Sequence, residues 1–481
     1  KWYHLYCSVQ RCNSALRVLN AATDEQVNGR VSRIAEMKVL RAHYYFELSR
    51  LFNKIPYFDE NVEISQYPDI PNNEFTRDEI LSMLAKEMLD AAEQLPASQP
   101  EVGRIHKYIA LAYAAKIKLY QAYQQDEITH AVTSINKELL REVVSLCDQV
   151  TASNRYGLLD DFQGLDLVTN ENGKESVFAI QYSMNDGTES AGRINWSNLL
   201  NSPGGGSPYG GDGFFLPSQD LINAYQTDAN GLPDFNYQSK SDYSWAVLNN
   251  GVYTLQNTTP NVDPRLDFVV GRPTITWKTY PDKPCEGWVR DKDTYGYNCA
   301  KRFWVSPESS DMFNGWPWGA SQLNWQIIRY ADILLWKAEA LIELNEGNGL
   351  ETARDLINQI RNRARNSAYV KDFNDHSKYA ANYLVNPYPA DVWNQDYARQ
   401  ALRWETRLEK ALEGERFFDL VRWGIVETTM NKYITAESDN RIYYANAHFT
   451  GGKDEYYPVP NNQYGFSGGK YVQNPGYAPF N

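Results

Sequence analysis

The sequence predicts a mainly α-helical protein, with helical hairpins split by a loop-rich irregular insert and closed by a turn-rich C-terminal wrap. Three observations predict it. Residues 28–52 carry helical periodicity with apolar residues on two sides, which a helix needs only when neighbours hold it from both. From Gly157 to about Asn324 prolines, glycines, asparagines and aromatics replace that periodicity, and from Ile327 it returns. At 481 residues the chain also exceeds the usual size of one compact core.

Lys1-Trp2-Tyr3-His4-Leu5-Tyr6 reads as the middle of an amphipathic helix, with no basic region, apolar stretch or cleavage site before it, so a leader is expected to have been trimmed or never to have existed. In the helix over 28–52, Arg33, Glu36, His43, Glu47 and Arg50 form the polar stripe, and Asn53 and Pro56 end it. Thr76-Arg77-Asp78-Glu79 has the spacing of a capping box: the threonine hydroxyl accepts from the third amide while Glu79 reaches back. Ile80, Leu84, Met88, Ala91 and Leu95 then follow on one face, and Pro96 stops the helix. Further helices are predicted over about 104–123, whose alanines suit close packing, and about 137–150, making two hairpins in the N-terminal third. In the insert, the alternation of residues 176–182 is the clearest strand signal. Helices follow over 327–344, 350–364 and 393–423, the last broken at Gly414. The predicted domains are 1–155, 156–325, 326–424 and 425–481.

Sixty acidic against 47 basic residues give a net charge of −13, which repels nucleic-acid phosphates and anionic lipid heads. No stretch approaches the ~20 apolar residues of a membrane helix. Five cysteines are too few for a disulfide framework; a Cys285–Cys299 bridge and two inert thiols stand as alternatives, while Cys7, Cys12 and Cys147 read as small buried hydrophobes.

The six histidines are scattered and none has zinc-ligand spacing, so neither a catalytic metal nor any cofactor is expected. Gly204–Gly213 is glycine-rich but lacks the following Lys-Ser or Lys-Thr of a phosphate loop, and Tyr209 stands where a nucleophile elbow after Ser207 needs glycine. Glu409, Glu413, Glu415 and Asp419 alternate with Arg403, Arg407, Arg416 and Arg422 and read as ion pairs.

Trp277, Tyr280, Trp288, Tyr295, Tyr297, Trp304, Trp316 and Trp318 occur in the insert without a period that assigns them to a core face. Exposed rings suit sugars, whose C–H faces pack on the π-face, whereas buried ones would build a small aromatic core. The predicted glycan-binding residues are Trp288, Tyr295, Trp316 and Trp318 of the insert, together with Tyr67, Asp69 and Asn72 of the loop after the second helix, beside Asn73. Proline between Trp316 and Trp318 fixes the backbone and limits how many rings turn inward.

Several segments together resemble the SusD/RagB family. They are Arg41-Ala-His-Tyr-Tyr-Phe-Glu-Leu-Ser-Arg-Leu-Phe52 with Ile55-Pro56, Asp263-Pro-Arg-Leu266, Ile328-Arg-Tyr-Ala-Asp-Ile-Leu-Leu335 with Ala338-Glu-Ala340, and Ile357-Asn-Gln-Ile-Arg-Asn-Arg-Ala364. Leu412-Glu-Gly-Glu-Arg-Phe-Phe-Asp-Leu-Val-Arg-Trp423, Tyr457-Pro-Val-Pro460 and Gln473-Asn-Pro-Gly-Tyr477 complete the order. The resemblance implies four tetratricopeptide-like helix pairs in one body and a surface glycan-binding outer-membrane lipoprotein of Bacteroidota. It further implies a lipid-bearing cysteine upstream of Lys1 and a partner TonB-dependent transporter of the SusC type. The family's glycan site has no fixed motif to match here. The expected function is thus non-catalytic capture of oligosaccharide or polysaccharide and its delivery to that transporter, with a glycoside hydrolase on a helical scaffold or a pure assembly protein as alternatives.

Overall fold

The computed structural model describes residues 1–480 except 190–191, 198–203, 205, 244–245, 250–251, 256–259, 282, 285 and 317. Five helices come first: α1 (Trp2–Ala21), α2 (Arg30–Phe52), α3 (Arg77–Gln94), α4 (Lys107–Ala122) and α5 (Lys137–Ala152). Each packs on the next through α4, and α5 packs on α4. The capping box of α3 forms as its sequence requires: the Thr76 hydroxyl accepts from the Glu79 amide at 3.2 Å, and Glu79 accepts from the Thr76 amide at 2.8 Å. α4 is the innermost of the five, and its alanines 110, 112, 114 and 115 are all buried. Between α4 and α5 the chain makes a small hairpin, β1 (Tyr123–Gln125) against β2 (Val132–Ile135), which helical periodicity does not signal.

The polar stripe of α2 does not face water. Glu36 pairs with Arg104 at 2.8 Å, His43 shares a 2.7 Å hydrogen bond with the Tyr113 hydroxyl, and Arg50 reaches Glu415 at 2.9 Å. The stripe therefore binds α2 to its neighbours much as its apolar sides do.

The insert begins with β3 (Ser176–Ile180), which pairs antiparallel with β4 (Trp325–Arg329) at its end. This clamp brings entry and exit together and returns the chain to the helical body. Within the insert the described helices are short: α6 (Gln219–Ala224), α7 (Arg265–Val269) and α8 (Lys292–Tyr295). After β4 come α9 (Tyr330–Leu344), α10 (Gly349–Asn366), α11 (Gln395–Glu409), α12 (Arg416–Arg422), α13 (Val426–Glu437) and α14 (Asn461–Phe466). α9 packs on α5 and α4 from the N-terminal part and on α10 and α11 from its own. The side-by-side pairs α1/α2, α3/α4, α5/α9 and α10/α11 thus form one body, with the insert emerging from the third. One hydrophobic core runs through both ends of the sequence, from Val9, Tyr45 and Leu84 to Ile333, Ile357 and Leu402.

The break expected at Gly414 in the helix over 393–423 is present: Leu412 and Gly414 both take positive φ (66° and 80°), which no continuing helix allows, and α11 and α12 lie on either side. One expectation is corrected here. The C-terminal wrap also holds the 12-residue α13, whose threonines and single buried apolar residue, Val426, give little periodicity to read.

Candidate functional site

The insert is mounted on the helices by buried charge. Asp263 and Arg265, at the start of α7, are both fully buried and paired at 2.7 Å, and Arg265 continues to Glu405 at 2.6 Å and Glu409 at 3.2 Å on α11. Arg329 at the end of β4 donates to Glu409 at 2.7 Å and to Glu175 at 2.9 Å, and Arg302 joins Asp166 at 3.1 Å and Glu413 at 3.3 Å. Burial alone would raise the Glu409 carboxyl, but Arg363, Arg329 and Arg265 outweigh it and hold it at about 2. Of the cluster read from the sequence as ion-paired, Glu409, Glu413, Glu415, Asp419, Arg407 and Arg422 are paired, whereas Arg403 stacks on the Trp423 ring at 5.3 Å.

On this mount the insert builds a small aromatic core. Tyr209, Trp277, Trp288 and Trp304 are buried together, with ring centroids 5.3 Å apart for Tyr209–Trp277 and 4.7 Å for Tyr209–Trp304. The Trp277 indole donates to the Ala300 carbonyl at 3.2 Å, and the Tyr209 hydroxyl donates to that of Val305. Indoles fill this cluster, whereas a second core of the insert is largely aliphatic, from Ile222, Val262, Leu266, Val269 and Ile275.

Outside this core, Trp316 is 62% exposed and Trp318 is 48% exposed. Gly319 explains why Trp318 stays out. Its φ is +72°, and a Cβ there would lie 2.5 Å from the Trp304 ring, so the chain crosses directly over the buried indole and leaves no room beside it for a second. Gly210, in the glycine-rich loop, lies close enough to Trp318 that a Cβ would meet the indole at 3.9 Å. That same loop carries polar groups: Arg290 donates to the Gly211 carbonyl at 2.8 Å and to Asp212 at 3.0 Å, both side chains remaining open to water. Phe214, 74% exposed, follows in the same loop. The surface so formed presents indole faces and a half-exposed donor–acceptor pair over a rigid floor, which is chemistry for stacking and hydroxyl recognition.

The remaining predicted residues fall elsewhere. Trp288 is 2% exposed and belongs to the floor, so it cannot serve as a platform. Tyr67 is 8% exposed, stacked on Phe58 at 3.9 Å, its hydroxyl accepting from Arg17 at 3.2 Å. Asn72 is fully buried, accepting from the Val472 amide at 2.8 Å and donating to the Val472 carbonyl at 2.9 Å. Asp69 is exposed and pairs with Lys470, and Asn73 beside it is exposed. The loop after α2 thus anchors the C-terminal wrap and makes these contacts away from the insert. Tyr295, 39% exposed, lies 5.9 Å from the Tyr443 ring, which continues to Tyr444 at 4.5 Å. Of the residues around Trp316 and Trp318, Pro317 lies outside the described residues, as does Cys285 of the proposed bridge.

With this geometry in hand, comparison with known proteins is direct. The model of the SusD family matches residues 174–477, which cover most of the insert, the later helices and most of the wrap. The chain belongs to the SusD family. A second family model, described as starch-binding and associating with outer membrane, matches residues 1–119 of this SusD protein. A SusD-like protein of Bacteroides ovatus is 22% identical over 443 residues, 88% of this chain and 65% of that one, and the SusD-like protein P2 of Formosa agariphila is 23% identical over 99% of this chain and 80% of its own. This SusD chain therefore spans about two thirds of the length of the Bacteroides ovatus relative.

Among solved structures, a laminarin-binding SusD-like protein superposes with a TM-score of 0.66 at 20% identity over 99% of this chain and 85% of that one. Surface glycan-binding protein A from Bacteroides thetaiotaomicron, in complex with laminarihexaose, does so with a TM-score of 0.66 at 20% identity over 98% and 84%. At that identity they share the SusD fold with this chain. Arg290, Asp212 and Tyr443, which sequence reasoning did not single out, lie on this surface; Arg290 and Asp212 are 78 residues apart, and no local pattern links them.

Proposed function

We propose that this SusD protein captures oligosaccharide or polysaccharide at the outer-membrane surface without cleaving it, and hands it to a SusC-like TonB-dependent transporter. The observation that carries the reading is Trp318, held outward over the buried Trp304 by Gly319 and flanked by Trp316. The binding residues are Trp316 and Trp318, with Arg290 and Asp212 addressing hydroxyls and Tyr295 extending the surface toward Tyr443. The names of the laminarin-binding neighbours and of the starch-binding family model support a glycan as ligand. In this reading the insert, 156–325, carries the site. The helical parts, 1–155 and 326–424, and the wrap, 425–481, supply rigidity, and a lipid anchor upstream of Lys1 holds the protein at the membrane. Stacking and exposed hydrogen bonds are each modest and partly offset by desolvation, so affinities per site are about micromolar or weaker. Affinity electrophoresis through gels containing laminarin, starch and other neutral polysaccharides tests it: at least one retards the wild-type chain, and Trp316→Ala and Trp318→Ala reduce that retardation.

A further inference from the structure

A cavity of about 490 Å³ lies where the loop before α4, the segment after α5 and residues 172–181 meet. Its charge runs against that of the chain. Arg104, Arg155 and Lys174 line it against a single carboxylate, Glu101, in a protein of net charge −13. Arg104 pairs with Glu36, and Lys174 with Asp160 at 2.9 Å, while Arg155 is exposed and has no carboxylate partner among the described residues.

α4 begins at this cavity. His106 is its N-cap and no side chain caps it, but the Lys107 amide donates to the Pro96 carbonyl at 3.0 Å and the Ile109 and Ala110 amides donate to the His106 carbonyl at 3.0 and 3.3 Å, so this helix end is largely satisfied. His106 itself is only 7% exposed. Its Nε2 shares a 3.3 Å hydrogen bond with the Tyr156 hydroxyl, and its Nδ1, buried, has no partner. When the tyrosine donates to Nε2, Nδ1 carries the proton, enclosed by protein and out of reach of a molecule in the cavity. Burial and Arg155 hold this imidazole at about 4, so it is neutral near pH 7.

The rim is amide. Asn172 donates to Gln181 at 2.8 Å and Gln181 returns a 3.0 Å bond. Gly103, at φ +78°, lies so near that a Cβ would fall 2.4 Å from Gln181, which lets the 99–104 loop close against that rim. Amides suit sugar hydroxyls, and the apolar floor of Ile109 and Phe178 suits a pyranose face.

We infer that this cavity is a subsite for an acidic sugar, with Arg155 receiving the carboxylate of a uronate residue and Asn172 and Gln181 its hydroxyls. It goes beyond the Trp316–Trp318 reading, which needs no charge, and stands or falls independently of it. The test is titration calorimetry of the purified protein with trigalacturonate, trimannuronate and triguluronate, each beside the same trisaccharide with its carboxyls reduced to alcohols. At least one uronate binds, its reduced form binds at least tenfold more weakly, Arg155→Gln weakens the acidic sugar at least tenfold with an unchanged melting temperature, and Trp318→Ala has no effect on it. Failure of all three uronates up to about 10 mM, equal binding of a reduced form, or indifference to Arg155→Gln overturns the inference. Inorganic phosphate binding as tightly as the best uronate overturns it too, because the cavity would then be an anion site without sugar recognition.

Discussion

Arg329 and Glu409, 80 residues apart, meet at 2.7 Å with neither side chain reachable by water. The arginine ends the strand that closes the insert and the glutamate ends α11, so this pair locks the loop-rich part of the molecule to the helical part. Removing one partner leaves the other charge buried and unpaired, which costs about 3–5 kcal/mol. Arg329→Met is therefore expected to lower denaturant stability by that amount, while Lys86→Met, which breaks an exposed pair with Asp90, changes it by less than about 1 kcal/mol. Equal effects from the two would remove the lock from the account.

The same network sets the acid limit. Folding moves the Glu409 carboxyl down to about 2. A group depressed by folding contributes fully above its unfolded value, near 4, and loses that contribution as pH falls through the folded value. Unfolding free energy measured from pH 6 to pH 2 should fall steeply between about 4 and 2, and Glu409→Gln should flatten that slope while lowering stability near neutrality. An unaltered slope in the variant would place acid sensitivity elsewhere.

Gly319 and Trp304 form the support beneath Trp318. Trp304→Ala should cost about 3–5 kcal/mol as a buried indole, whereas Trp318→Ala should leave the melting temperature nearly unchanged. Gly319→Ala combines positive φ with a Cβ 2.5 Å from the Trp304 ring, so it should destabilise by about 1–3 kcal/mol and also weaken glycan binding by moving Trp318. Normal stability and binding in Gly319→Ala would show that the backbone crossing does not position the ring.

Where the sequence was legible, one local signal sufficed. Thr76 and Glu79 are three residues apart and cap α3 as their spacing requires, and the two-sided apolar faces of α2 demanded neighbours on both sides. Distance in sequence hid the rest. Asn72 resembles a loop asparagine until Val472, 400 residues away, takes both its donor and its acceptor. Trp288 and Trp316 stand in similar Pro/Gly-rich surroundings, yet one is floor and the other surface, because aperiodic chain gives no face by which to sort them. Arg290 and Asp212 come together only through the glycine-rich loop, which carries no pattern of its own.

A hydrolase reading has its best foothold at Glu171, whose carboxyl burial and Asp311 push up to about 7 although it accepts from the Asn324 amide at 2.5 Å. A general acid needs such a value, and a nearby carboxylate could be its partner. Non-catalytic capture predicts no reducing-end release from laminarin or polygalacturonate by repurified protein, and none that Glu171→Gln alters. Release that survives repurification and vanishes in Glu171→Gln would replace capture with hydrolysis.

The central claim is that indoles projecting from the insert receive the glycan, and calorimetry on the two tryptophan variants tests it most directly. With the polysaccharide that most retards the wild-type chain, Trp316→Ala and Trp318→Ala should each lose about 1–3 kcal/mol of binding, roughly 5- to 150-fold in Kd, at nearly unchanged melting temperature. Wild-type affinity in both variants, with or without a fall in melting temperature, would contradict it and move the glycan site away from these rings.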